Sequence, residues 1–362
     1  MPGTHRIDWI DAAKGVCILA VVLYHFNQIV FQQIDFGQTV IPTLWNLVIT
    51  ALEPLRMPLF FLISGFLASR SVTGRGWEDV RTSRVAGLLW VYVLWVGIYW
   101  VFTESIIEPM NVEVVAAGAH PESVRGVILQ LISADTGLWY LYALVLYFVA
   151  CKLIQYTAYP IVISIGLGMF LHLASSLLLP PAWWNIASLL DYFFFFALGC
   201  YLQPFLARHY VQCHAMRLLL TGALTLVALG VTWKLSAMEA PGVKLVLALL
   251  MVSTTIDLFV LLTERFRMGL LCGIGQRTLS IYVIHKLLIF ALAMIMPKTL
   301  YVEGALQQGL LAVTPLVVTL LIGALCLLAY RVLNHGPGRA LFNMPHLFRR
   351  MAYRTGLLQP VH

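Results

Sequence analysis

Residues 6–26, RIDWIDAAKGVCILAVVLYHF, lead into the first long apolar segment of the chain, residues 11–31. A helix needs about 20 residues to cross the roughly 30 Å of hydrocarbon in a bilayer, so this segment is long enough. Lipid cannot satisfy free backbone groups, so only helices and closed barrels span membranes. Barrel strands alternate apolar and polar residues over about ten positions. This segment does not alternate, and we predict a transmembrane helix.

Nine further segments have the same character. They are residues 43–69, 85–104, 138–156, 159–179, 186–206, 215–236, 242–263, 270–296 and 310–333. The composition agrees, because 60% of the residues are hydrophobic and 11% are charged, whereas soluble domains carry roughly 25% charge. A soluble, disordered or fibrous protein is excluded for the bulk of the chain. We predict an all-α polytopic membrane protein with about ten transmembrane helices in one domain, residues 1–333.

The Lys and Arg residues predict the orientation, since cytoplasmic loops carry an excess of both. If the N-terminus is cytoplasmic, few cations lie on the outer side. They are Arg125, Lys234, Lys244 and Lys298. Arg56 and Lys286 lie inside spans, and the other cations fall at the inner ends. We therefore predict that both termini are cytoplasmic. The net charge of +7 has this origin, and we expect no nucleic-acid partner.

Two segments outside the spans are predicted to lie at the membrane surface. Within the largest outer connection, residues 121–134 are expected to form a short interfacial helix. Residues 334–362 are basic and aromatic, and we predict a cytoplasmic tail that rests as a helix on anionic lipid.

Lys14 and His25 are two ionisable side chains in the first predicted span. They are eleven residues apart, so at about 100° per residue they share one helix face, about 16 Å apart along the axis. Charged groups in a span are costly and are functional candidates by default. A cation near the cytoplasmic boundary and an imidazole deeper in the membrane suit a long ligand with an anionic end and a reactive end. In the structural alternative, Lys14 snorkels and His25 only packs.

Other polar side chains lie inside later spans. Arg56 is flanked by two prolines and needs an anion, either Glu53 or a bound substrate. His285 falls near the middle of the ninth span, and Asp191 lies near the outer end of the sixth. A structural Arg56–Glu53 pair and a structural His285 remain open alternatives. His172 has no polar neighbour in sequence, and we interpret it as structural.

Four stretches together resemble membrane acyltransferase family 3, and they follow its order over about 280 residues. Residues 6–26 resemble its opening, in which a basic residue precedes a histidine by eleven positions. The other three stretches are MPLFFLISGFL at 57–67, GLWYLYAL at 137–144 and GQRTLSIYVIH at 275–285. Lys14, Tyr140 and Thr278 stand where many members have Arg, Phe and Ser. The amino-acid sequence around Lys14 is similar to that of the family branch that O-acetylates sugars of exported polysaccharides.

The resemblance implies an O-acyltransferase that moves an acetyl group from cytoplasmic acetyl-CoA to a hydroxyl of a glycan or its lipid-linked precursor. It implies a multi-pass protein of the bacterial inner membrane, with membrane lipid and polysaccharide-export machinery as expected partners. Transfer is either direct or passes through a separate partner. No metal is expected.

The roles that we predict for individual residues follow from this chemistry. An alcohol needs a base to attack at neutral pH, and His25 is predicted either to supply it or to form a transient acetyl-imidazole. Arg56 is predicted to stabilise the oxyanion or orient an acidic sugar, and His285 to be a second catalytic polar group. Lys14 is predicted to bind CoA phosphate.

The remaining predicted site residues line the two substrates. Asp11 and Ser64 are predicted at the donor site. Trp139, Tyr140 and Asp191 are predicted at the acceptor site, where aromatic rings stack on sugars, although Trp139 and Tyr140 also fit interfacial anchors. A transporter or flippase of a lipid-linked glycan is the main rival, and a scaffold is a third possibility. Within the enzyme class, a lipid, peptidoglycan or small-glucan acceptor and a succinyl donor stay open.

Overall fold

The computed structural model describes residues 7–110, 123–237, 240 and 242–345. These residues are mainly α-helical. The α-helices are α1 (Asp8–Ile29), α2 (Ile41–Ala51), α3 (Glu53–Thr73), α4 (Trp77–Val80), α5 (Gly87–Phe102), α6 (Val124–Ser133), α7 (Trp139–Ile154), α8 (Pro160–Leu178), α9 (Trp184–Asp191), α10 (Phe193–Tyr201), α11 (Gln203–His209), α12 (Ala215–Lys234), α13 (Val243–Arg265), α14 (Gly269–Gly275), α15 (Thr278–Ile295) and α16 (Gly304–Leu333). Within the described ranges, β-structure is limited to one isolated bridge between Asp35 and Thr299.

Helices occupy all ten of the predicted spans. Within the part of the chain that the structure describes, eight helical runs are long and apolar enough to cross a bilayer. The two other predicted spans differ in form. The span at 138–156 is α7, with 16 residues, and the span at 186–206 continues from α9–α10 into α11 through a bend of 71°. The protein is an all-α, multi-pass membrane protein.

Proline explains the bend before α11. The helix α10 ends at Tyr201, and α11 begins with Gln203 followed by a proline in its first turn. Proline has no N–H to donate and disfavours helical geometry at the residue before it, which favours a break at this point, whereas α3 and α16 continue through Pro58 and Pro315. A smaller break separates α2 from α3 at Leu52, where Pro54 lies in the first turn of α3. The two helices together form one membrane-length run, Ile41–Thr73, which contains the predicted span at 43–69.

The predicted interfacial helix is α6 for the residues that the structure describes. Ser123 precedes it in an extended conformation and accepts a hydrogen bond from the backbone N–H of Gly126 at 3.2 Å. A side-chain cap of this kind satisfies one of the free N–H groups at a helix start. Residues 121 and 122 lie outside the described residues.

The first part of the tail docks on α5. The indole N–H groups of Trp90 and Trp95 donate to the carbonyls of Ala340 and Leu341, each at 2.7 Å. Phe342 is buried. Buried indole N–H groups need a partner, and here the backbone of the tail supplies it. The predicted tail residues 346–362 lie outside the described residues.

The chain divides into two compact units. Unit 1 contains Met1–Cys17, Ala51–Trp77 and Ala143–Thr278, and unit 2 contains Ile18–Thr50, Glu78–Tyr142 and Leu279–His362. In unit 1, α3 packs on α10 and α13, α8 packs on α9 and α10, and α12 packs on α13. In unit 2, side chains join helices to distant carbonyls, as where the Tyr99 hydroxyl donates to Val283 at 3.0 Å.

Two glycines set a close crossing in unit 1, between α3 and α10. A Cβ built on Gly65 would lie closer than 3.0 Å to the backbone of Phe196, and one built on Gly199 would lie as close to the backbone of Leu62. Small residues let helices approach to backbone contact in membranes, where packing rather than water drives association. This crossing fixes α3 and α10 against each other.

We expect Gly199→Ala to destabilise the protein, because a methyl group at this position meets backbone that cannot move aside. Overpacking of this kind costs about 1–3 kcal/mol of unfolding free energy. The measurement is the thermal unfolding midpoint of the full-length protein in detergent. Gly166→Ala is the matched control, since a Cβ at Gly166 meets nothing within 4 Å. Equal midpoints for the two variants would contradict the packing argument.

Candidate active site

Two histidines lie in contact in unit 2. His25 comes from α1 and His285 from α15, and His285 Nε2 lies 3.1 Å from His25 Nδ1. The ring centroids are 5.0 Å apart. His285 is fully buried, and His25 is half-buried. The structure thus brings together two of the three residues that the sequence predicts to be catalytic, although they are far apart in the chain.

The backbone carbonyls around the pair determine which nitrogens carry protons when both rings are neutral. His285 Nδ1 lies 3.0 Å from the carbonyl oxygen of Ile281, which can only accept, so Nδ1 carries the proton. His285 Nε2 is then an acceptor. His25 Nδ1 faces this acceptor and also the carbonyl of Val21 at 3.0 Å, so it donates to them. The lone pair of neutral His25 is therefore on Nε2.

Aromatic side chains form the wall beside His285. The Tyr282 ring lies 6.1 Å from the His285 ring, and Tyr140 packs edge-on against Tyr282 at 5.4 Å. The Tyr282 hydroxyl donates to the Gly137 carbonyl at 3.2 Å. Tyr140 is buried, while Trp139 is half-buried at the start of α7. Sequence reasoning missed Tyr282, although its position three residues before His285 predicts the same helix face.

The end of unit 1 that is predicted to face the cytoplasm holds the predicted donor residues Lys14 and Asp11. Their side chains form an ion pair at 3.6 Å, and Gln276 donates to the Asp11 carboxylate at 3.1 Å. Gly15 and Gly275 let α1 and α14 meet at backbone distance. The positions of Asp11 and Lys14 are thus tied to α14.

A cavity of about 480 Å³ lies in the same unit, at the turn between α13 and α14. Arg265 and Arg267 line it together with Asp8, Glu264 and Cys272. Its volume is within the range of roughly 300–1,000 Å³ that is usual for small-molecule sites. Sequence reasoning used both arginines only as markers of orientation, because nothing in their local sequence predicts a cavity.

The other end of the unit 1 helices carries Glu53 and Arg56, both on α3. Glu53 pairs with Lys244 of α13 at 3.1 Å, a partner that sequence reasoning did not consider. Arg56 is half-buried one turn further along α3. The Ser64 hydroxyl, predicted at the donor site, donates to the Phe60 carbonyl of its own helix at 2.8 Å.

Asp191 lies at the end of α9 in the same unit, and α8 supplies its partners. The Ser175 hydroxyl donates to the Asp191 carboxylate, and His172 Nδ1 lies 3.2 Å from the same carboxylate oxygen. Sequence reasoning assigned His172 no polar neighbour, because Asp191 is nineteen positions away and meets it only through the packing of α8 on α9.

The sequence model of the acyltransferase domain matches residues 7–330. The chain belongs to acyltransferase family 3. The matched range contains every residue that we predict in the site. The family assignment makes the protein a membrane acyltransferase. A relative within acyltransferase family 3 is the inner membrane protein YcfT of Escherichia coli strain K12, which is 28% identical over 293 residues, or 78% of this chain and 79% of the relative. No solved structure matches the chain significantly.

Proposed function

We propose that this membrane acyltransferase moves an acetyl group from cytoplasmic acetyl-CoA to a sugar hydroxyl of an exported polysaccharide or its lipid-linked precursor, in the bacterial inner membrane. The observation that carries the proposal is the histidine pair, because its carbonyl contacts leave the lone pair of neutral His25 on Nε2. A held imidazole with one defined basic nitrogen is what a weak alcohol nucleophile requires.

The proposed step is acyl transfer with His25 as general base. The sugar hydroxyl oxygen attacks the thioester carbon while His25 Nε2 takes the hydroxyl proton. The C–O bond forms, the C–S bond breaks, and the imidazolium returns the proton to the CoA thiolate. Arg56 supplies positive charge for the oxyanion. In the alternative path, Nε2 attacks the thioester carbon first, the C–S bond breaks, and CoA leaves as the thiolate. The sugar oxygen then attacks the acetyl-imidazole, the C–N bond breaks, and the hydroxyl proton passes to the thiolate.

The donor is proposed to bind through its phosphates at the cytoplasmic end of unit 1. Lys14 offers an ammonium there, and Arg265 and Arg267 offer guanidinium groups beside the cavity of about 480 Å³. Arginine forks suit phosphate geometry. Asp11 holds Lys14 at 3.6 Å and thereby orients it. Trp139, Tyr140 and Asp191 are proposed on the acceptor side, with polysaccharide-export machinery as a partner.

We expect Lys14→Ala to weaken acetyl-CoA binding by about 10-fold or more, since a charge-assisted hydrogen bond contributes about 1.5–3 kcal/mol. The measurement is acetyl-CoA binding to the full-length protein in nanodiscs. Lys14→Arg should retain most of the affinity. The control is Lys298→Ala, which removes a cation predicted to be on the outer side.

The same experiment separates the enzyme from its rival. A glycan transporter has no use for acetyl-CoA, so folded protein that binds none at millimolar concentration would refute the proposed donor. Undiminished affinity in Lys14→Ala would refute the role of this residue alone.

A further inference from the structure

A second polar cluster lies in unit 1. It joins His172 of α8, Asp191 of α9, Glu53 of α3 and Lys244 of α13, which all line one small cavity. By the predicted orientation, this end of the four helices faces the outer side of the membrane. Glu53, His172, Asp191 and Lys244 thus come from four separate helices and converge on one point.

His172 is the most buried member of the cluster, and the described part of the chain leaves the hydrogen-bonding capacity of its imidazole unsatisfied. Its side chain is 5% exposed. Among the described residues, neither ring nitrogen makes a well-aligned hydrogen bond, although Nδ1 lies 3.2 Å from Asp191. Buried polar groups in native proteins are nearly always satisfied. An imidazole left in this condition beside a cavity indicates that a hydrogen-bonding group from outside the chain completes it.

Ser175 shows that the cluster is arranged for binding and not for nucleophilic chemistry. Its hydroxyl donates to the Asp191 carboxylate and to the backbone carbonyl of His172 at 2.8 Å. It therefore holds the carboxylate in position and is not paired with an imidazole nitrogen, as a serine nucleophile would be.

The size and exposure of the cavity limit what can enter. Its volume is about 10 Å³, which is room for about one water-sized group. Side-chain exposure falls from 40% at Glu53 through 21% at Lys244 and 18% at Asp191 to 5% at His172. The cavity is thus entered past Glu53 and ends at His172, and it admits one hydroxyl of a larger molecule that stays outside.

The charges favour a neutral ligand over an anion. Glu53 and Lys244 neutralise each other at 3.1 Å, and the charge of Arg56, which like that of Asp191 acts on the cavity-lining Tyr192, offsets the charge of Asp191. A phosphate or uronate would therefore meet two carboxylates with no net positive charge to hold it. A hydroxyl can both donate to a carboxylate and accept from an ammonium or imidazole N–H. The Tyr192 ring and two prolines add apolar surface, which suits the face of a sugar ring.

We propose that this cluster binds a neutral sugar unit of the acceptor by one hydroxyl, held between His172, Asp191 and Lys244. The identification of the ligand as the acceptor rests on the proposed function. Sugar binding itself does not, because it can be measured without acetyl transfer. His172 and Asp191 are binding residues in this account, with no part in the acyl-transfer step.

The test is ligand binding to the full-length protein in nanodiscs, followed by native mass spectrometry. The probes are the octyl β-glycosides of glucose, galactose and N-acetylglucosamine. Tetraethylene glycol monooctyl ether has the same chain without a ring and is the reference. We expect one equivalent of at least one glycoside to bind in preference to the ether. Its affinity should fall at least tenfold in His172→Phe and in the conservative Asp191→Asn.

Controls make each outcome decisive. Ser176→Ala removes a neighbouring hydroxyl on α8 that does not line the cavity, and it should bind as the wild type does. Glycosides that bind no better than the ether, or equally well to both variants, would overturn the inference. Stronger binding of octyl phosphate would overturn its neutral character. Methyl glycosides distinguish the source, because equal affinity indicates a soluble glycan and weaker affinity a lipid-linked one.

An acetyl-transfer assay on the same preparations separates this inference from the proposed function. Protein that binds a glycoside through His172 and never transfers acetyl would refute the proposed function alone. Protein that transfers acetyl with no preference for glycosides would refute the second site alone.

Discussion

Replacement of His25 by alanine should reduce acetyl transfer by about 10²–10⁴-fold, the usual contribution of a general base. His25 Nε2 holds the lone pair in the neutral ring, and alanine leaves the sugar hydroxyl without a proton acceptor. The measurement is incorporation of labelled acetyl from acetyl-CoA into acceptors of membranes that contain the full-length protein at equal, verified amounts.

The matched control for His25 is Gln28→Ala, three residues along the same helix. Gln28 is exposed, and its loss should leave transfer unchanged. Acetyl-CoA binding should survive in His25→Ala, since the donor phosphates are proposed to bind at Lys14. A His25→Ala protein that is folded and as active as the wild type would rule out the proposed mechanism.

Replacement of His285 by phenylalanine should lower kcat by roughly 10–100-fold and leave the KM for acetyl-CoA unchanged. The loss corresponds to the 1–3 kcal/mol that a buried polar group loses with its partner. His285 acts on His25 by accepting a hydrogen bond from its Nδ1–H at 3.1 Å, so phenylalanine removes one of the two acceptors that hold the proton on Nδ1 and leaves the Val21 carbonyl. His285→Gln can place an oxygen acceptor near the same position and should restore part of the rate.

Nitrogen-15 NMR of histidine-labelled protein gives a readout that a purely packing role would not change. The His25 signal should show protonated Nδ1 in the wild type and a larger share of the Nε2-protonated tautomer in His285→Phe, where the Val21 carbonyl is the remaining acceptor for Nδ1–H. If His285→Phe and His285→Gln lose the same activity and the His25 signal is unaltered in both, the histidine contact has no role in positioning.

The predictable part of the fold is the part that hydrophobicity alone determines. All ten apolar segments contain helices, because lipid offers backbone groups no alternative partner. The breaks were harder to predict. Pro204 is a visible signal in the sequence, yet apolar length alone merged α10 with α11. The docking of residues 340 and 341 on Trp90 and Trp95 depends on a contact across about 250 positions, which composition does not encode.

The candidate site divides in the same way. His25, His285 and Arg56 could be selected from sequence, since ionisable groups in spans are costly and therefore informative. Which of these residues contact each other could not be predicted from the sequence. The histidine contact and the His172–Asp191 contact arise from the packing of separate helices. His172 was interpreted as structural because its carboxylate partner lies on another helix, and Glu53 was given Arg56 as a candidate partner because the two are neighbours in sequence.

The division of the chain into two units has a consequence for biosynthesis. Every segment of unit 1 has been translated once the ribosome passes Thr278, whereas unit 2 still lacks Leu279–His362. His25 is translated early, and its contact partner His285 is added to the chain 260 residues later. The carbonyls that accept from the indole groups of Trp90 and Trp95, those of residues 340 and 341, are likewise translated much later than the tryptophans. The nascent chain therefore has no histidine pair until residue 285 has been added, and on the proposed mechanism a ribosome that stalls before this residue leaves a protein without acyltransferase activity.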